Sequence, residues 1–168
     1  MESKLTIYEG ARRDDWRTPN KVFSKLNRLY GFSLDLAADF DNAKADLFFD
    51  EDDNSLKKTW GKYPGNHWLN PPFSKAKAFF NKAAEEKNRM IAIYKFGNME
   101  TGIWQDTIFP HASWILFLRG RTQYLNHRGK LPRRFNKKTG RWERTSVPFG
   151  SALIGYRINP KRELYDWG

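Results

Sequence analysis

The stretch His67-Trp68-Leu69-Asn70-Pro71-Pro72-Phe73-Ser74 decides how this chain folds. Its first residues read as a buried strand, and two consecutive prolines end it, because proline has no N–H to give to a sheet ladder. Ser74 can then cap a helix running to about Lys87, in which Ala76, Phe79, Phe80, Ala83 and Ala84 share one face. A strand that passes directly into an amphipathic helix is the building unit of a parallel sheet.

The pattern repeats on both sides. Upstream, Thr18 at the N-cap and Pro19 at the first helical position open a helix. Its apolar stripe is Val22, Phe23, Leu26, Leu29 and Tyr30, and Gly31 stops it. Phe32 to Leu36 reads as a short buried strand and Asp46 to Asp50 as another, while residues 1–15 are polar apart from the strand-like run Leu5-Thr6-Ile7-Tyr8. Downstream, Met90 to Tyr94 is a buried strand, and Thr101 to Phe109 a short helix carrying Ile103, Trp104 and Ile108. Ser113 to Leu118 and Ser151 to Tyr156 are the last core strands. Strands alternating with helices predict a three-layer α/β fold with a mostly parallel sheet. Between the last two strands, Thr122 to Pro148 is long, basic and turn-rich; His127-Arg128-Gly129 and Lys138-Thr139-Gly140 mark it as a β-ribbon excursion. With no internal repeat and no linker, residues 1–168 read as one domain, and 122–147 as its ribbon insertion.

Composition narrows the function. The chain has 168 residues, 39% apolar and 29% charged, in the range of soluble globular proteins. No apolar run approaches the ~18 residues of a membrane span. Met1-Glu2-Ser3-Lys4 has no apolar stretch behind it, which predicts a cytoplasmic rather than a secreted protein. Zero Cys excludes disulfides and thiolate chemistry, and His67, His111 and His127 have no metal-ligand spacing, so no metal is expected.

Net charge is +11, and it is segregated. Asp35 to Asp53 holds eight acids and one base; Arg119 to Thr145 holds ten bases and one acid. An even solubilising coat would not part the signs in this way. One segment suits a cationic or hydroxyl-rich ligand, and the other suits phosphates.

Asn70-Pro71-Pro72-Phe73 fits a particular chemistry. An exocyclic amine on a nucleobase, or an amide nitrogen, has its lone pair delocalised and must pyramidalise before it attacks an electrophile. Two acceptors aimed at its N–H groups favour that geometry and stabilise the charge that develops. The Asn70 side-chain oxygen and the Pro71 carbonyl can be those acceptors. Pro71 and Pro72 stiffen the backbone without adding donors, and Phe73 offers a face for stacking.

Taken in order, several further motifs join this one: Asp14-Asp15-Trp16-Arg17-Thr18-Pro19, Leu34-Asp35-Leu36-Ala37-Ala38-Asp39, Asn42-Ala43-Lys44, Leu56 with Trp60, Gly120-Arg121, and Pro148-Phe149-Gly150-Ser151-Ala152-Leu153. Across residues 14–157 the sequence resembles the phage-type DNA N6-adenine methyltransferases, the Dam family, which use S-adenosylmethionine. The resemblance implies a Rossmann-like methyltransferase fold: a mostly parallel sheet, an antiparallel last strand, and here an inserted basic β-ribbon. It implies methyl transfer to adenine N6 of double-stranded DNA with base flipping. Asn70, Pro71, Pro72 and Phe73 then form the catalytic motif holding the flipped adenine. Asp35, Ala37 and Ala38 form the cofactor turn, with Asp35 on the methionine ammonium, and Thr18 and Pro19 lie near the cofactor carboxylate. Asp50 or Asp53 is implied for the ribose hydroxyls and Asn54 for the cofactor adenine. The glycine-rich cofactor motif of many methyltransferases is absent, with Ala37-Ala38 in its place.

The basic excursion supplies the expected DNA contacts. Arg121, Arg128, Lys130, Arg133, Arg134, Lys137, Lys138, Arg141 and Arg144 can track phosphates; interleaved Tyr124, Phe135 and Trp142 can stack or wedge. Charge alone does not separate DNA from RNA. A catalytically silent nucleic-acid binder on the same fold, and a methyltransferase for RNA adenine or cytosine N4, are the alternative readings.

Overall fold

The computed structural model describes residues 16–166, so the Leu5-Thr6-Ile7-Tyr8 run and Asp14-Asp15 lie outside the described residues. Eight strands are present among them: β1 Phe32–Asp35, β2 Leu47–Phe48, β3 Asn66–Leu69, β4 Arg89–Phe96, β5 Trp114–Phe117, β6 Arg133–Asn136, β7 Arg141–Arg144 and β8 Gly150–Tyr156. Six of them form one sheet in the order β2-β1-β3-β4-β8-β5, and β6 pairs only with β7. β2, β1, β3 and β4 are parallel neighbours, and β8 runs antiparallel to both β4 and β5. The sheet is thus mixed and mostly parallel, as the alternation of elements predicts.

Side chains alternate across this sheet into two cores. Met90, Ala92 and Tyr94 of β4 join Ala152, Ile154 and Tyr156 of β8 under helix α2 (Ala76–Glu85), whose Phe79, Phe80 and Ala83 are buried. Ile91, Ile93 and Leu153 point the other way, against Phe23 and Leu26 of helix α1 (Asn20–Tyr30). Phe32 and Leu34 have the same parity yet join opposite cores, because the β1–β3 register shifts between them. At Gly155 a Cβ would lie 2.2 Å from the Trp114 ring, so the β8–β5 packing requires a residue without one.

Several boundaries differ from the sequence reading. Helix α1 begins one residue later than predicted: Pro19 occupies the N-cap position, and its carbonyl accepts from Val22 and Phe23. Thr18 does not cap; its side chain is buried and turned into a cleft. Ser74 does not cap α2 either. The Pro72 carbonyl accepts from Lys75 N at 3.0 Å, closing a 3₁₀ turn over Phe73–Lys75 before α2 starts at Ala76. The second strand shrinks to Leu47–Phe48 within an acidic loop. Ile103–Ile108 is a π-helix, which puts Trp104 and Ile108 into the core. No helix among the described residues is long and apolar enough to cross a membrane.

Candidate active site

Parallel neighbours deliver the key residues to one end of the sheet. Asp35 is the last residue of β1 and pairs in register with Trp68 of β3, two residues before Asn70. Both chains then leave the sheet at its carboxyl edge, where an open α/β sheet has its natural crevice. A cleft of about 660 Å³ lies there. Asp35, Ala37 and Ala38 line it, as do Thr18, Asp50 and Asn54, and across from them Asn70 and Pro72. Residues predicted from separate motifs are therefore brought onto one cavity.

Asn70 is oriented. Its Nδ2 donates to the Trp16 carbonyl at 3.0 Å, which leaves Oδ1 as the acceptor of this amide. The Pro72 carbonyl is taken by Lys75, whereas that of Pro71 receives no hydrogen bond from the described residues. Asn70 Oδ1 and the Pro71 carbonyl are thus two acceptors on adjacent residues of a proline-stiffened turn.

Asp35 is buried to 2% exposure while still lining the cleft. Oδ1 accepts from Ala37 N at 3.2 Å and Oδ2 from Lys44 N at 3.0 Å. Desolvation outweighs these two bonds and pushes its pKa up to about 7. Such a carboxyl gains from an incoming cation that restores its charge. The Lys44 ammonium serves only in part: its charge favours the ionised carboxylate, but it donates to Asn20 Oδ1 at 2.6 Å, and burial holds its own pKa below the ordinary lysine range. Thr18 Oγ1 is buried on the same cleft and has no hydrogen-bond partner among the described residues. An orphaned hydroxyl beside an ionisable carboxyl suits a ligand with both polar and cationic groups.

Not every predicted residue reaches this cavity. Pro19 caps α1 instead, and Pro71 is buried, so that of the motif only Asn70 and Pro72 stand on the cleft wall. Asp53 is tied down by exchange with Asp50, each backbone N–H donating to the other's carboxylate at 3.2 and 2.9 Å, and by Lys58 at 3.8 Å. Phe73 lies to one side, between the two cores. Its ring meets Tyr94 and Phe149 edge-on, with centroids 5.8 and 5.5 Å away, and the Lys95 ammonium sits 4.7 Å from its centre. The cleft also recruits Trp16, Arg17, Lys44, Glu51, Lys75 and His127, which the sequence reading did not assign as site residues. Arg17 and Lys44 stand inside quoted motifs, so a signal for them existed; His127 and Lys75 gave none. Among the described residues no group of three acids or histidines converges to hold a metal.

The basic excursion begins at a bridge to this site. Arg17 and Leu125 exchange both backbone hydrogen bonds, at 2.8 and 3.0 Å, beside the Trp16 carbonyl that holds Asn70. Beyond it β6 and β7 form a hairpin in which Phe135 faces Trp142 and Arg133 faces Arg144, placing these four on one face. Phe135 and Trp142 are each 38% exposed, with ring centroids 5.6 Å apart. Arg134, Arg141 and the acid of the ribbon, Glu143, share the opposite face. Glu143 accepts from Asn136 and Thr139 at 3.0 and 2.8 Å, bonds that hold its pKa below the usual carboxylate range. Arg121, Arg128, Lys130, Lys137 and Lys138 are exposed as well.

Tyr124 is a correction. It is 1% exposed in the core, its hydroxyl 3.0 Å from Ser151 Oγ, so it cannot stack on nucleic acid. It alternates inward because the Arg17–Leu125 bridge fixes its strand direction. Tyr124→Phe is expected to lower stability by about 1 kcal/mol in denaturant unfolding, with nucleic-acid affinity unchanged.

Comparison with known proteins gives the family. The family described as DNA N-6-adenine-methyltransferase (Dam) matches residues 6–141. A DNA N-6-adenine-methyltransferase of Escherichia phage T1 is 42% identical over 85 residues, 49% of this chain and 35% of that protein. A putative methyltransferase, YfdM, of Escherichia coli K12 is 40% identical over 65 residues, 36% of this chain and 71% of that protein. The aligned part thus spans about a third of the phage relative's length.

Proposed function

This chain belongs to the DNA N-6-adenine-methyltransferase (Dam) family, and from that premise we propose that it methylates the N6 amino group of adenine in double-stranded DNA. The methyl donor of this reading is S-adenosylmethionine, the sheet is a Rossmann-like methyltransferase sheet, and the chain works as one domain in the cytoplasm. The observation that carries the proposal is the Asn70 amide, pinned through its nitrogen to Trp16 on the same cleft as Asp35.

The residues present fit the donor. Asp35 would hold the methionine ammonium, and the orphaned Thr18 hydroxyl the carboxylate beside it. Asp50 would take ribose hydroxyls and Asn54 the adenine, both on the cleft wall. When bound, S-adenosylmethionine supplies an electrophilic methyl on a sulfonium. Asn70 Oδ1 would accept one N–H of the flipped adenine from the cleft wall, and the unpartnered carbonyl of the adjacent Pro71 the other, holding the nitrogen pyramidal. The same two acceptors would hold the amine toward the donor's methyl, and N6 would give up one proton to solvent on methylation. Residues 122–147 hold the duplex, and their contacts offset the few kcal/mol of flipping.

Asp35 makes donor affinity depend on pH. A carboxyl whose pKa is raised to about 7 is protonated in much of the free protein below that pH and must ionise to hold an ammonium. Donor affinity is therefore expected to fall by up to about tenfold per pH unit below 7 and to level off above it, read by calorimetry. The same shift acts against the fold in the opposite sense: the unfolded carboxyl ionises near 4, so as pH rises from about 4 to about 7 the free protein loses stability. Asp35→Asn should flatten both profiles.

The function itself is tested by incubating DNA with methyl-labelled S-adenosylmethionine and identifying the labelled nucleoside. Label in N6-methyladenine is the expected result. Label on cytosine, on RNA alone, or on nothing overturns the proposal.

A further inference from the structure

His127 lines the same cleft as Asp35 and Asn70, yet neither donor binding nor the Asn70–Pro71 acceptor pair employs it. Its Nδ1 is buried and meets no hydrogen-bond partner among the described residues. A buried ring nitrogen left without a partner costs free energy that a bound ligand can restore.

The turn carrying it is built rather than loose. Buried Asn126 accepts through Oδ1 from Arg128 N and Lys130 N at 2.9 and 3.1 Å, and its own N–H donates to the Lys130 carbonyl at 2.8 Å. Gly129 closes the loop at φ +69°, a left-handed conformation that a side chain would strain.

Register says which end of the cleft His127 serves. The Arg17–Leu125 bridge is antiparallel, so the chain leaves Leu125 on the Trp16 side of Arg17. This carries His127 toward Trp16, whose carbonyl holds Asn70, and away from Thr18 on the other side of Arg17. The unpartnered nitrogen thus belongs to the acceptor end rather than the donor end.

We propose that His127 binds the target nucleobase, its Nδ1–H donating to a ring nitrogen of the purine whose amine Asn70 receives. The inference rests on the adenine-methylation reading and adds a residue of the DNA-contact segment to the target pocket. Docking of residues 122–130 on the duplex and capture of the base become one event, because the same turn bears Arg128, Lys130 and the imidazole.

The test compares three variants once the wild type has been shown to label adenine in the assay above; a wild type that labels none overturns the function, whatever the variants do. His127→Ala should raise KM for DNA roughly tenfold, leaving donor affinity and the salt dependence of DNA binding unchanged. His127→Asn keeps a polar atom where Nδ1 lies and should restore KM to within about threefold. His127→Gln moves that atom to the Nε2 position and should not. A purely structural role would not separate Asn from Gln, so equal behaviour of these two overturns the proposal. Weakened donor binding with unchanged KM for DNA overturns it too, as do wild-type values throughout.

Discussion

Asn70→Ala is expected to lower the rate of methyl transfer by about 10²–10³-fold, with donor and DNA affinities within about threefold of wild type. An adenine amine shares its lone pair with the ring and is a poor nucleophile until two acceptors draw its N–H groups out of plane. Only one of those acceptors is a side chain. The Trp16 carbonyl fixes the Asn70 amide at 3.0 Å, so its oxygen is placed before the substrate arrives and needs no reorganisation during the step. Alanine removes the acceptor and leaves the Pro71 carbonyl to act alone. Because the lost interaction strengthens only as charge builds on nitrogen, the rate should fall without matching loss of binding. Asn70→Asp provides a second check: it keeps an acceptor oxygen but loses the N–H that Trp16 holds, and should land between the two. Single-turnover assays with saturating DNA separate the step from product release. Near-wild-type turnover by Asn70→Ala would remove this residue from the mechanism.

Joint replacement of Lys137, Lys138, Arg141 and Arg144 by alanine should weaken DNA binding roughly a thousandfold at 0.1 M salt. All four are exposed on the β6–β7 hairpin, where a +1 charge facing solvent has no structural duty to perform. Each phosphate contact releases condensed counterions and contributes about 0.9 to the slope of log affinity against log salt. Four lost contacts should therefore flatten the slope visibly in anisotropy titrations run from low to high salt. Donor binding should stay as it was, since none of the four touches the cleft. An unchanged slope would place the duplex elsewhere on the molecule.

The sheet was legible because its strands are continuous apolar runs bounded by Gly, Pro and acids; the β8 run Ser151 to Tyr156, for example, is off by a single residue. Caps were less so. Thr18-Pro19 has the letters of a helix start, but tertiary packing turned Thr18 into the cleft and moved the cap to Pro19. Asp35 and Asn70 could be paired in advance through the family motifs, and β1 and β3, neighbours in the sheet though not in sequence, do end side by side. Phe73 could not be placed by sequence, since an aromatic after two prolines can face either the ligand or Tyr94 and Phe149, and here it meets the latter pair. Tyr124 was misread for a related reason: among so many cations an aromatic looks like a stacking group, and only the strand direction shows it facing Ser151. His127 was out of reach altogether, for nothing local distinguishes a turn histidine that borders a cavity from one in solvent.

The position of β8 between β4 and β5 has a consequence for how the protein is made. Among the described strands the last in sequence lies inside the sheet, so β5 has no partner until residues near Tyr156 have been made. Truncation anywhere before Gly150 would leave a split sheet with two bare edges rather than a smaller complete one. The hairpin, threaded between β5 and β8 in sequence, is already extruded when that last strand slots home.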